Sequence, residues 1–372
     1  MLPSPREPVV VVASAEFTLK SSPVRRTLEQ RLIDDLRVAL ARAGFEGFTV
    51  EKHAARLVVH GLSEPATKLA AECFAKVFGV AYAVPATLLP SSMDMVLQET
   101  VQIAQASLKP GQSFAVRCRR SIPNSFHCRE IEIKGGSEVL RAMKDSNVRV
   151  DLKKPDVTIS VDLAGDRVYA YGNRLQGPGG LPLSSQWKML AVLDSGPLSI
   201  LAAYAMMRRG CLVELFIPLS ETFPLFKRDR QLELAAKLRA LVTRPAYKAY
   251  TVKVEPYSDQ GSSDFADARW HVRKAALQVA KEKRFRGIIF SDVTGELNPD
   301  YQTIQTADNK VLSPIFYPLL GLETEDLIEM CRRAGIAEDE LFSQIGLENE
   351  SRGETVFPQE PAREMTVQEF AL

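Results

Sequence analysis

The sequence predicts an α/β protein of several domains: a ferredoxin-like α+β unit first, a second mixed α/β unit, and a Rossmann-like C-terminal unit on a parallel sheet. Three observations carry this. A chain of 372 residues, 45% apolar and 25% charged, is long enough for two or three cores. Its first ninety residues read in the order strand, helix, two strands, helix, strand, the order of a ferredoxin-like sandwich. Beyond a Gly/Pro cluster at 177–182, strands and helices alternate regularly, which predicts parallel strands wrapped by helices.

The β-branched run Val9–Ser14 predicts the first strand, and Leu28, Leu32, Ile33, Leu36 and Leu40 recur at helical spacing within Arg25–Gly44. Phe48–Val50 and Arg56–His60 read as strands, Pro65–Val77 as a helix and Tyr82–Ala86 as the next strand. The second unit has a helix over Met93–Ala106, a strand over Ser113–Arg119, a helix containing Glu138–Met143, and strands over Val148–Asp151, Val157–Leu163 and Val168–Gly172. After the turn cluster come Met189–Leu193 (strand), Ile200–Arg209 (helix), Cys211–Pro218 (strand), Leu232–Val242 (helix), Ala249–Val254 (strand), Phe265–Lys283 (helix), Gly287–Ser291 (strand) and Glu325–Ala334 (helix). A ligand is expected at the carboxyl ends of those strands.

The charge is uneven. Lys and Arg number 47 against 46 Asp and Glu, a net +1. Residues 337–372 hold nine carboxylates and two arginines, so this acidic tail carries −7 and residues 1–336 carry +8. A wholly basic nucleic-acid coat is excluded, yet the body can favour a polyanion locally. The densest basic run is Lys109, Arg117, Arg119, Arg120, Arg129 and Lys134, set against Glu130 and Glu132. On residue types alone, a solvated strand edge and a nucleic-acid surface are equal readings.

Five cysteines, none in a C-x-x-C pair, and four histidines without zinc spacing predict reduced thiols and no metal site. His127 beside Cys128 is read as a surface or RNA-facing residue and Phe126 as core; Cys331 is read as a buried structural thiol on a helix. With no leader pattern and no apolar run of spanning length, a cytoplasmic protein is expected.

Several segments, in order, resemble the tRNA 4-thiouridine synthetases, also called thiamine-biosynthesis sulfurtransferases. Glu16-Phe17-Thr18-Leu19-Lys20 with Arg25 and Arg26 resembles an early family segment, and Phe78-Gly79-Val80 with Pro85-Ala86 an interdomain junction. Phe114-Ala115-Val116-Arg117-Cys118-Arg119-Arg120 is similar to the strand of the THUMP domain where arginines lie against RNA, and Val150-Asp151-Leu152 with Pro155–Ile159 to its second half. Gly177-Pro178-Gly179-Gly180-Leu181-Pro182 resembles the entry to a PP-loop ATP-pyrophosphatase domain, of the adenine nucleotide alpha hydrolase-like type. The resemblance implies a ferredoxin-like domain over 1–88, THUMP over 89–175, a linker over 176–183, the PP-loop domain over 184–340 and the acidic tail over 341–372.

It further implies ATP with Mg2+ as cofactor, tRNA and a sulfur-donor protein as partners, and thiolation of a tRNA uridine after its carbonyl is activated by ATP. Lys109, Arg117, Arg119, Arg120, Arg129 and Lys134 are the implied RNA contacts. Ser195, Gly196, Ser199 and Gly295 are the implied nucleotide contacts. No membrane partner is expected, and a homodimer stays open.

The chemistry departs from the family pattern. The family loop reads Ser-Gly-Gly-x-Asp-Ser; here Leu201–Gly210 fixes the register and the loop is Asp194-Ser195-Gly196-Pro197-Leu198-Ser199. Small residues let backbone N–H groups close around phosphates. Asp194 is expected to repel a triphosphate, and Pro197 supplies no donor. Thr294-Gly295-Glu296 and Gln302-Thr303-Ile304 resemble further family pieces, but Tyr317-Pro318-Leu319 and Glu323-Thr324 stand where two cations are implied. Phe357, Pro358 and Pro361 resemble a stretch that follows the catalytic cysteine, yet residues 350–355 hold no thiol. Arg273 is retained, free either to meet a nucleotide or to pair with a carboxylate. Three readings follow: a tRNA-binding member with altered or lost catalysis, an active sulfurtransferase with a modified loop and an external sulfur donor, or an assembly or regulatory protein.

Overall fold

The computed structural model describes residues 6–14, 20–243, 247–254, 265–293, 314–337 and 367–371. Glu16–Leu19, Thr294–Glu296 with Gly295, Gln302–Ile304, Phe357, Pro358 and Pro361 lie outside the described residues. The chain divides into two compact units, Met1–Gly179 and Gly180–Leu372.

In the N-terminal unit, β1 (Glu7–Ser14), α1 (Ser22–Arg42), β2 (Thr49–His53), β3 (Arg56–His60), α2 (Glu64–Phe74) and β4 (Val80–Pro90) follow the expected order. They assemble as β2-β3-β1-β4 with every pair antiparallel, the ferredoxin-like arrangement. The α1 stripe Leu28, Leu32, Leu36 and Leu40 is buried, as its spacing predicts. Next come α3 (Met93–Ser107), β5 (Ser113–Ile122), α4 (Cys128–Ala142), β6 (Arg149–Val150), β7 (Val157–Ala164), β8 (Arg167–Tyr171) and β9 (Leu175–Gln176). Strand β4 pairs on its other side with β8, so one nine-stranded sheet runs β2-β3-β1-β4-β8-β7-β5-β6, with β9 also on β4.

The basic stretch is not a single strand edge: α4 begins at Cys128, ten residues before the helical stretch anticipated from the apolar pattern, and carries Arg129 and Lys134. The charged segment Arg129–Lys134 and the pair Gly135-Gly136 obscured the helical period. Gly135 is buried against Thr100 and Val116, which lets α4 lie close on β5.

In the C-terminal unit, β10 (Lys188–Val192), α5 (Gly196–Arg208), β11 (Leu212–Leu219), α6 (Arg228–Ala240), β12 (Lys248–Lys253), α7 (Phe265–Glu282), β13 (Ile288–Ile289), β14 (Ile315–Phe316) and α8 (Thr324–Ala334) follow in order, each at an expected strand or helix except β14, which the sequence pattern does not predict. Strands β14-β13-β10-β11-β12 are parallel. One correction concerns the acidic tail over 341–372: Val367–Ala371 forms β15, an antiparallel edge strand on β12. Its Glu369 meets Lys248 at 2.6 Å and Lys283 at 2.9 Å.

The core joins Val272, Ala276, Leu277 and Ala280 of α7 to Leu190, Val192, Phe216, Val252 and Phe290 of the sheet. Gly180, at φ +70°, sits against the carbonyl of Arg208; a Cβ there would lie 2.0 Å from that oxygen, so only glycine fits. From β10 the chain builds outward through β11 and β12, then returns to the other side of β10 with β13 and β14. That reversal is a switch point in strand order at the carboxyl ends of β10 and β13, the place where doubly wound sheets take ligands.

Candidate functional site

The candidate residues fall in two places: the loop beyond β10 and β13, and the strand β5 with its surroundings.

The loop beyond β10 leads from Asp194 and Ser195 into the first turn of α5, which begins at Gly196, and each residue from Asp194 to Ser199 is buried. Gly196 takes φ +47°, a backbone position that favours glycine. The Ser195 N–H donates to Ser199 Oγ at 2.9 Å, so the hydroxyl expected to meet a phosphate closes the loop on itself. Ser291 Oγ, beyond β13, lies 3.3 Å from Ser199 Oγ and donates to Asp194 Oδ1 at 3.4 Å.

Asp194 requires a correction. It does not stand as an exposed repulsive charge but is fully buried between two arginines of α7. Arg273 Nε donates to Asp194 Oδ2, and Arg269 Nε reaches the same oxygen at 3.3 Å. Arg273 Nη1 donates to Asp292 Oδ1 at 2.9 Å, and Arg269 Nη2 to Ser195 Oγ at 2.6 Å. The Arg273 guanidinium lies 4.4 Å over the Phe290 ring. Burial alone would raise the Asp194 carboxyl; Arg273 and then Arg269 reverse this and hold it below the usual carboxylate range. Of the two roles open to Arg273, the structure shows the carboxylate pair.

Arg269 and Asp292 were missed in the sequence. Arg269 and Arg273, four apart on one helix face, were the available signal. A second missed feature is a cavity of about 340 Å³ beyond β11 and β12, lined by Ser220, Glu221, Arg228, Thr251, Lys253 and Gln368.

The other departures find structural roles. Thr324, at an implied cation position, is the first residue of α8, and Glu323 before it caps the helix in a reciprocal capping box with Asp326. Tyr317 packs 5.9 Å from Phe290, and Cys331 is buried on α8. Among the described residues, no group of three or more His, Cys, Asp or Glu could hold a metal ion. No helix among them is long and apolar enough to cross a membrane.

In the N-terminal unit, β5 is buried from Ser113 to Val116, then emerges so that Arg117, Arg119 and Arg120 are exposed. Arg129 is exposed on the first turn of α4, close by, because Cys128 Sγ touches Cys118 Sγ of β5. Among the described residues no ion pair involves Arg117, Arg119, Arg120, Arg129 or Lys109. Lys134 differs: Glu130 holds it at 2.7 Å. Lys109 precedes the other end of β5, about 25 Å along the strand from Arg120, so the six do not form one patch. Arg117 Nη2 donates to the Leu152 carbonyl, which brings the exposed Lys153 and Lys154 alongside. Those two lysines were missed, although Lys153-Lys154 stands in the sequence. His127 is exposed, and Phe126 packs on the core with Ile131 and Leu163.

Comparison with known proteins finds three domain models in the expected order. Residues 9–83 match the ThiI ferredoxin-like domain, residues 90–171 the THUMP domain, and residues 184–369 the family described as thiamine biosynthesis protein (ThiI). A tRNA sulfurtransferase of Pyrobaculum aerophilum is 26% identical over 340 residues, 89% of this chain and 67% of its own. A probable tRNA sulfurtransferase of Halobacterium salinarum is 27% identical over 343 residues, 89% of this chain and 85% of its own. Two crystal structures share the fold. PH1313 from Pyrococcus horikoshii has a TM-score of 0.67 at 23% identity, over 88% of this chain and 100% of that one. A 4-thiouridine synthetase in complex with RNA and bound ATP has a TM-score of 0.70 at 16% identity, over 98% and 99%. With three domain models matched in sequence order, the chain belongs to the ThiI family, the family of the tRNA sulfurtransferases.

Proposed function

We propose that this chain is a cytoplasmic tRNA-binding protein whose PP-loop-like domain no longer carries out ATP-dependent activation of uridine. The observation that carries the reading is the group of exposed cations Arg117, Arg119, Arg120 and Arg129, which make no ion pair among the described residues and lie in the segment matching the THUMP domain. Guanidinium groups in water, free of protein carboxylates, are available to phosphate oxygens. Lys153 and Lys154 extend the surface, and Lys109 makes a separate contact.

The nucleotide half of the reading rests on Asp194. The residues present do not fit a triphosphate: a carboxylate already fills the arginine pair, the Ser195 N–H is committed, and the loop is buried. No step is therefore derived through ATP or Mg2+, and no sulfur-donor protein is needed.

Titration with tRNA at several salt concentrations tests the first half. The Arg117→Ala/Arg119→Ala/Arg120→Ala variant is expected to reduce the slope of log K against log salt by about 3. A wild-type slope and affinity would remove the assignment. Calorimetry with Mg-ATP at millimolar concentration tests the second half: no heat is expected from the wild-type chain, and a binding isotherm would restore the active-enzyme reading.

A further inference from the structure

Cys118 and Cys128 stand apart from the function proposed above. Cys118 lies on β5 between Arg117 and Arg119, and Cys128 opens α4. Their sulfurs meet at 2.7 Å, and both residues are partly exposed. The Cys118 N–H donates to Glu132 Oε1 at 2.9 Å, so the strand is tied to the same helix by a second, independent contact. Bringing the sulfurs to a bond length of about 2.05 Å requires a shift of less than about 1 Å. Cys73, Cys211 and Cys331 lie on α2, just before β11 and on α8, and Cys211 and Cys331 are buried. Both side chains pack at the margin of the core around Ile131 and Leu163, with part of each left open to solvent.

We propose that Cys118 and Cys128 form an oxidisable dithiol, a modification site that closes to an intramolecular disulfide with hydrogen peroxide as oxidant. Burial and the neighbouring Cys128 sulfur favour the neutral thiol at Cys118, so the first attack belongs to Cys128, at the start of its helix. Its ionised sulfur displaces hydroxide from the peroxide and becomes a sulfenic acid. Cys118 then attacks that sulfur, and the S–S bond forms as the S–O bond breaks. The expelled hydroxide takes the Cys118 proton and leaves as water. In total two thiols lose two electrons and two protons, and one peroxide is reduced to two waters. The bond pins the segment carrying Arg119, Arg120 and His127 at both ends.

The test uses the full chain, treated briefly with hydrogen peroxide, then denatured and its thiols counted. Three of the five are expected to remain, and dithiothreitol should restore all five. Trypsin, cutting after Arg117, Arg119, Arg120 and Arg129, should release Cys118-Arg119 joined to the peptide 121–129. Cys128→Ser, at the partly exposed start of a helix, should abolish the linked peptide, as should Cys118→Ser. Five thiols surviving, a bond between any other pair or between two chains, or oxidation that dithiothreitol does not reverse would overturn the proposal. None of these readings depends on RNA, so a failure here leaves the tRNA assignment to its own titration.

Discussion

In the N-terminal unit, Arg117, Arg119 and Arg120 project into solvent from a strand that has run out of core. In the C-terminal unit, Arg269 and Arg273 face inward from α7 onto Asp194 and Asp292, and Arg273 is wholly buried. The same side chain thus has two fates set by its surroundings. Exposed guanidinium groups contribute little to stability and remain available to an external anion. Buried ones demand a counter-charge, and here the chain supplies it. Availability to an anion and necessity to the fold are therefore opposed.

The largest expected effect breaks that contrast from the buried side. Arg273→Met leaves Asp194 and Asp292 without their principal partner, and the C-terminal unit should lose about 3–5 kcal/mol in denaturant unfolding. Arg119→Ala should stay within about 0.5 kcal/mol of the wild-type chain. Equal stability of the two variants would show that the buried cluster is not holding its loop. On the exposed side, Lys153→Ala/Lys154→Ala should lower the salt slope of tRNA binding by about 2, whereas Lys134→Ala, already paired with Glu130, should leave it unchanged. A larger effect from Lys134 would mean that the pair opens on binding.

The smallest effect concerns Glu369, exposed yet doubly paired. Hydrogen bonds from Lys248 and Lys283 hold its carboxyl down to about 2, against an ordinary 4.5. A folded value below the unfolded one stabilises the docked strand above about pH 4.5 and is lost as pH falls toward 2. Hydrogen exchange at the β12 amides, corrected for intrinsic rates, should accelerate through that window relative to β11. In Glu369→Gln the acceleration should already be present at neutral pH and should not grow on acidification.

The alternation of strands and helices was legible because core-facing residues repeat at short range: the leucines of α1 and the apolar runs of β1, β7 and β11 identify themselves. The start of α4 was hidden by charged residues and a glycine pair, and β15 by the acidity of the segment around it. Beyond β10, the loop and Arg273 could be read, but their union could not. Asp194 and Arg273 are 79 residues apart, and only the meeting of β10, α7 and β13 shows that one neutralises the other. A carboxylate in an anion-binding loop reads as repulsion until its partner is known.

The placement of β15 bears on how the molecule is made. Lys248 and Glu369 are 121 residues apart, so the outer edge of β12 has no strand to cover it while all the intervening chain is being synthesised. At about 5–20 residues per second, that interval lasts several seconds or longer. An open parallel-sheet edge is a template for other chains during such a delay. The C-terminal unit therefore passes through a period on the ribosome when its sheet can recruit a stranger, and it ends only when Val367–Ala371 takes the place.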